Sequence, residues 1–145
     1  MVPQPASLSD TDRAILDLAD AMIDKAREAM KTRQLHQVLN MVWAVVAEAN
    51  RYFAGEAPWA LAKTDPKRQA TVLYVTTEVL RQVAVLVQPA MPRAAATLLN
   101  QLGIPDEERA FDRLGGGHRI AAGSKLPAPS PVFPRFVEPD AAKAG

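Results

Sequence analysis

The sequence predicts an all-α fold, a bundle of four to five helices closed by a Pro-rich extended C-terminal strap. Three observations carry this. Apolar residues recur every three or four positions in several segments of ten residues or more. Helix start and stop residues punctuate those segments, with Asp65-Pro66 opening one, Gln88-Pro89 closing it and Gly103 ending the next. Five of the twelve prolines lie from Pro127 onward, which precludes continuous helix or central strand there.

The first helix is expected from Ser9 to about Lys31. Ile15, Leu18, Met22, Ala26 and Met30 share one face, and Ser9 is a suitable N-cap. Asp10 and Asp12 sit in the first turn, where they favour the helix dipole. A second helix runs from Leu35 to Phe53, with Leu39, Val42, Val46, Ala49 and Phe53 as its stripe and Trp43, Ala47 and Asn50 beside it. It stops at Ala54-Gly55, where glycine permits the chain to reverse. Trp59 to Lys63 reads as one further helical turn. Asp at N-cap and Pro at N1 then start a helix from Pro66 to about Val87. This segment is rich in Val and Thr, which favours strand by propensity, but its length and spacing are helical. A helix from about Met91 to Leu102 and a short one within Pro105 to Phe111 complete the bundle. The division expected is bundle over residues 8–114, strap over 115–139 and a flexible tail over 140–145. Phe133 and Phe136 are expected to dock the strap on this bundle or on another body.

Composition bounds the function. A chain of 145 residues holds one domain with a real core. Its apolar runs are too short for a bilayer span, and Met1 to Pro5 lacks the basic and apolar regions of a signal peptide. Cysteine is absent, which removes disulfides and thiolate metal sites and suits a reducing, cytoplasmic setting. A net charge of +1 argues against strong non-specific binding to polyanions, and leaves room for a local basic patch.

Catalytic constellations are missing. His36 and His118 have no partner nearby in sequence. Gly115-Gly-Gly-His118 neither follows a strand nor opens a lysine-bearing helix, so it is not a phosphate loop. Asp17, Asp20, Asp24 and Glu28 lie among basic residues and read as a solvated helix face rather than a metal ladder. The feature with chemical content is Trp59, placed on a turn stiffened by Pro58 and flanked in sequence by Arg51, Lys63, Lys67 and Arg68. A large ring among cations suits an unpaired base with phosphates on either side. On spacing alone, the same ring also suits the sealed end of a helical core.

Three ordered blocks extend this reading. The first is Trp43 through Lys63, with Ala49-Asn-Arg-Tyr52 and Ala57-Pro-Trp-Ala-Leu-Ala-Lys63. The second runs from Leu73-Tyr74 through Glu78-Val-Leu-Arg81 to Leu86-Val-Gln-Pro-Ala-Met-Pro92. The third is Asn100-Gln-Leu-Gly103, then Gly117-His118 and Phe133-Pro-Arg-Phe136. Together they resemble the C-terminal anticodon-binding helical domain of bacterial methionyl-tRNA synthetases, over about Asp12 to Phe136. The resemblance implies the anticodon-binding bundle of class I synthetases. It implies that Trp59 stacks on an anticodon base of methionine tRNA, that Pro58 shapes the turn, and that Asn50 and Arg51 lie at the site. Lys63, Lys67 and Arg68 are then candidate phosphate contacts. The implied partners are methionine tRNA, through its anticodon loop, and the catalytic domain of the same enzyme. That domain would use ATP and methionine, with no cofactor held by this chain. One departure stands out: the family's leading helix, which carries an Asn and an Arg that read bases, has no counterpart here. An apolar groove is expected where it would pack. The rival expectation is a helical protein–protein interaction module in which Trp59 belongs to the core.

Overall fold

The computed structural model describes residues 1–134. Six α-helices are found among them: α1 Asp10–Asp20, α2 Met22–Lys31, α3 Leu35–Glu56, α4 Pro58–Thr64, α5 Pro66–Leu86 and α6 Pro92–Gln101. Helix α5 is the central element and packs against α1, α3, α4 and α6. Its Val72, Val75, Ala84 and Val85 are fully buried, alongside Leu16 and Ala19 of α1, Met22 of α2, Val42 and Val45 of α3, and Leu99 of α6. The β-branched residues of α5 are accommodated locally. The hydroxyls of Thr71, Thr76 and Thr77 donate to the carbonyls of Lys67, Val72 and Leu73, one turn back.

Local chemistry accounts for three helix ends. Ser9 caps α1 in a reciprocal box: its Oγ accepts from the Asp12 amide, and the Asp12 carboxylate accepts from the Ser9 amide. Asp65 caps α5 by accepting from the Arg68 amide at 3.0 Å, with Pro66 at the first helical position. Helix α6 closes in a Schellman arrangement, in which the Ile104 amide donates to Leu99 and the Gly103 amide to Asn100. Gly103 has φ +68°, and a Cβ there would lie 2.6 Å from the Lys125 carbonyl oxygen. The position therefore admits only glycine.

Several boundaries differ from the sequence expectation. The helix expected from Ser9 to Lys31 is two helices that bend at Ala21. The sequence there has neither Pro nor Gly. The bend coincides with a tertiary tether, because Asp20 accepts from Gln82 at 2.7 Å and from Arg119 at 2.6 Å. Helix α3 does not stop at Ala54-Gly55 but runs through Gly55 to Glu56. The reversal falls on Ala57, whose φ is +44°. In place of a helix within Pro105 to Phe111 the chain makes two 3₁₀ turns, Asp106–Glu108 and Phe111–Arg113, and a third follows at Gly116–His118.

The strap is held by side chains of α5, by the chain's first residues and by α6. The Tyr74 hydroxyl donates to the Ile120 carbonyl at 3.0 Å, and Glu78 accepts from the Ile120 amide at 2.8 Å. Val2, fully buried, pairs its backbone with Gly123 and Ser124, so the chain's first residues also clasp the strap. Farther along, Gln101 exchanges hydrogen bonds with the Ser130 backbone. Phe133 is 74% exposed and does not dock on the bundle. The apolar residues that do are Val2, Ile120 and, in part, Ala122. Phe136 and the tail over 140–145 lie outside the described residues.

Candidate nucleic-acid interface

Helix α4 carries Trp59 as its second residue. Ala57 reverses the chain after α3, Pro58 occupies the first position of α4 and is buried, and Trp59 follows it into solvent. Its residue exposure is 64%, so the ring is not a core residue. The core role expected by the rival reading is overturned. Among the described residues, Trp59 makes an aromatic contact with Phe53 of α3, edge to face, with centroids 6.0 Å apart and an interplanar angle of 61°. Such an edge-to-face pair is favourable, and the exposure of Trp59 leaves much of its surface open to a further partner.

Phe53 also lines an open groove of about 290 Å³ between α3 and α5, with Val46, Asn50, Val79, Leu80 and Val83 among the wall residues. Trp43 lies on the same helical stripe as Val46, Asn50 and Phe53, and is half exposed. Both tryptophans of the chain thus flank one apolar, aromatic face.

The expected site residues divide. Asn50 is exposed on this face, three residues before Phe53. Arg51, its neighbour in sequence, turns about 100° around the helix. It lines a different groove, between α1 and α3, of about 490 Å³, and pairs with Glu48 one turn away. Lys63 is exposed in the last turn of α4, one turn on from Trp59. Lys67 is exposed in the first turn of α5.

Arg68 departs from its expected role. Instead of facing solvent beside the ring, it points inward and its side chain is only 20% exposed. It forms a two-pronged pair with Asp12, at 2.5 and 2.9 Å, and a second with Glu56, at 3.0 and 2.6 Å. The reason is the fully buried Asp12 carboxylate, which needs compensating charge and donors. Burial alone would raise the Asp12 carboxyl. Hydrogen bonds from Arg68, from the Tyr52 hydroxyl at 2.6 Å and from Ser9 outweigh it and hold the group at about 2. The same cluster, through burial and then the Asp12 hydrogen bond, pushes the Tyr52 phenol up. Asp12 is thus the hub of the site's foundation, not only a first-turn dipole residue. The sequence marked Ser9 as a cap and Asp12 as a first-turn acid, but not the box they form. Its link to Arg68 spans 56 positions and has no local signature.

One more residue reaches the turn. The Gln69 amide nitrogen donates to the Pro58 carbonyl at 3.0 Å. Nothing in the sequence pattern singles it out.

Comparison with known proteins places this geometry. A family model described as the anticodon binding domain of methionyl tRNA ligase matches residues 2–144. The methionine–tRNA ligase of Brucella suis is 56% identical over 140 residues, covering 96% of this chain and 27% of that protein. That of Rhizobium meliloti is 52% identical, covering 97% of this chain and 27% of its own length. Among solved structures, Mycobacterium tuberculosis methionyl-tRNA synthetase in complex with methionyl-adenylate superimposes with a TM-score of 0.89 at 38% identity. That match covers 92% of this chain and 27% of that one. The chain therefore spans about a quarter of the length of the curated relatives it matches.

Proposed function

The chain belongs to the family of methionyl-tRNA ligase anticodon-binding domains, and from that membership we propose that it recognises the anticodon loop of methionine tRNA by stacking a base on Trp59. The observation that carries this reading is the ring itself, 64% exposed on a turn fixed from both sides. A large apolar side chain left in solvent on a rigid element is a binding surface in waiting. Pro58 sets the approach of the turn. Asn50, on the adjoining face, offers an amide to a base edge, and hydrogen bonds to base edges supply most of the discrimination between bases. Lys63 and Lys67 lie on the side of the turn where phosphates of the loop would run. Arg51, paired with Glu48 in a second groove, lies off that path. Arg68 supports the turn and makes no phosphate contact.

The complete enzyme would join this domain to a catalytic body that uses ATP and methionine, and would work in the cytoplasm. The bundle's part is to place the tRNA so that its distant end reaches that body. No helix among the described residues is long and apolar enough to cross a membrane.

The test is Trp59→Ala in the complete ligase. Loss of one base–aromatic contact is expected to weaken methionine tRNA binding by about 1–3 kcal/mol, with Trp59→Phe retaining part of it. Circular dichroism of this domain should be unchanged, because the ring contributes little to the core. A folded variant with undiminished affinity would remove Trp59 from the anticodon site.

A further inference from the structure

The turn that carries Trp59 contains a backbone conformation that its own sequence does not favour. Ala57 has φ +44° and ψ +60°. A residue with a Cβ in the left-handed region costs about 1 kcal/mol or more and persists only where its surroundings over-determine it. Gly55, two residues earlier, would take that conformation freely, yet it remains helical. The placement of the reversal must come from contacts on either side of Ala57.

Those contacts come from two consecutive residues of α5. On the near side, Glu56 is gripped by the Arg68 guanidinium, which is itself anchored on buried Asp12. On the far side, the Pro58 carbonyl accepts from Gln69. Ala57 is therefore clamped between Glu56 and Pro58, and the clamp is part of the helix that forms the molecule's centre. Resting on the reading of Trp59 given above, we infer that Gln69 is a positioning residue for tRNA recognition. It holds the first turn of α4 so that the indole stays against Phe53 in the orientation a base stacks upon. It does not touch RNA. Fixing the ring before binding reduces the ordering that binding must accomplish.

Two measurements test this. The first uses this chain with Trp43→Phe, so that Trp59 is the only indole. Gln69→Leu keeps the side chain's approximate size and deletes the donor. It should increase the rotational freedom of Trp59, seen as a lower residual anisotropy in time-resolved fluorescence, while the helical signal persists. An indole as immobile as before overturns the inference, whatever happens with RNA. If Gln69→Leu fails to fold, Gln69→Glu decides the matter in the same assay, since it preserves shape and sets an acceptor against the Pro58 carbonyl.

The second is a double-mutant cycle on methionine tRNA affinity in the complete ligase. Gln69→Leu should weaken binding about threefold to tenfold when Trp59 is present. It should have no further effect in a Trp59→Ala background. Equal losses in both backgrounds would mean that Gln69 acts by general support of the fold, and the inference fails. If Trp59→Ala alone leaves affinity unchanged, the stacking reading fails, and the fluorescence result still decides whether Gln69 fixes the ring.

Discussion

Two polar clusters on the same helix use buried charge for opposite ends. At the start of α5, Arg68 and Gln69 bond Glu56 and the Pro58 carbonyl, on either side of the α3–α4 turn that bears an exposed aromatic ring. About three to four turns later, Glu78, Arg81 and Gln82 are all at least 98% buried and reach the strap, the 3₁₀ turn before it and Asp20 of α1. Glu78 takes two hydrogen bonds from Arg81, one from Gln82 and one from the Ile120 amide. Arg81 also donates to the Arg113 carbonyl, and Gln82 to Asp20. The second cluster is sealed and structural: it satisfies the backbone of a strap that has no strand or helix to pair with. The first lies at the rim and shapes a surface. Ionic groups at the molecule's centre thus tie distant segments together, and those at its edge tie down the turn that bears an exposed ring.

The most disruptive way to break this comparison is at Glu78. Glu78→Ala would leave the Arg81 guanidinium buried without its carboxylate and the Ile120 amide without an acceptor. Removing one member of a buried pair typically costs about 3–5 kcal/mol. Urea denaturation should show a loss of that order, and limited proteolysis should begin in the Gly115–Ser124 segment. A loss below about 1 kcal/mol would mean that the sealed cluster is dispensable and that the strap's other contacts, from Val2, Tyr74 and Gln101, suffice to hold it.

The rim cluster has a different signature, a dependence on acid. The Asp12 carboxyl is held at about 2, below its ordinary 3.8. A carboxylate depressed in the folded state contributes stability that is fully present above its unfolded value. That stability is lost as pH falls through the folded one. The window here is therefore about pH 4 down to pH 2, and the contribution at neutral pH is about 2 kcal/mol. Asp12→Asn should be less stable than the parent at pH 7 by an amount of that order. The gap should narrow as pH is lowered through the window, as read from urea midpoints at each pH. A gap independent of pH would show that Asp12 acts through shape and neutral hydrogen bonding, not charge.

How legible these clusters were depends on how far each interaction reaches along the chain. Helix ends at Ser9, Asp65-Pro66 and Gly103 were readable because cap, proline and glycine act within a few residues. The bend at Ala21 was not, since it accompanies tethers from Asp20 to Gln82 and Arg119, 62 and 99 positions away. The same holds for the reversal. Gly55 is the residue that local preference selects, and contacts from Arg68 and Gln69 override it in favour of Ala57. Arg68 looked like one more cation beside Trp59, and only the burial of Asp12 turns it inward. Phe133 was the conspicuous apolar residue of the strap. Docking requires the extended backbone's hydrogen bonds to be met as well, and those are met at Ile120 and Gly123. For Trp59, periodicity allowed both core and surface, the family resemblance favoured the surface, and the exposure of the residue in the fold decided it.

The smallest expected effects lie among the exposed cations, and they sharpen where the rim surface ends. Lys63 shares α4 with Trp59 and lies one turn from it, whereas Arg51 lines the groove between α1 and α3 and is already paired with Glu48. A phosphate contact contributes through counterion release, so its loss lowers affinity for all tRNAs alike and reduces the salt slope by about 1. If the RNA follows the Trp59 side of the turn, Lys63→Ala and Lys67→Ala should each show that reduced slope. Arg51→Ala should leave the slope nearly unchanged, because freeing Glu48 from an exposed helical pair alters little. Affinities of the complete ligase for methionine tRNA and for a non-cognate tRNA, measured over a range of salt, separate these cases. A reduced slope for Arg51→Ala with none for Lys63→Ala would move the RNA backbone to the α1–α3 groove. It would leave Trp59 at the edge of the interface and not at its centre.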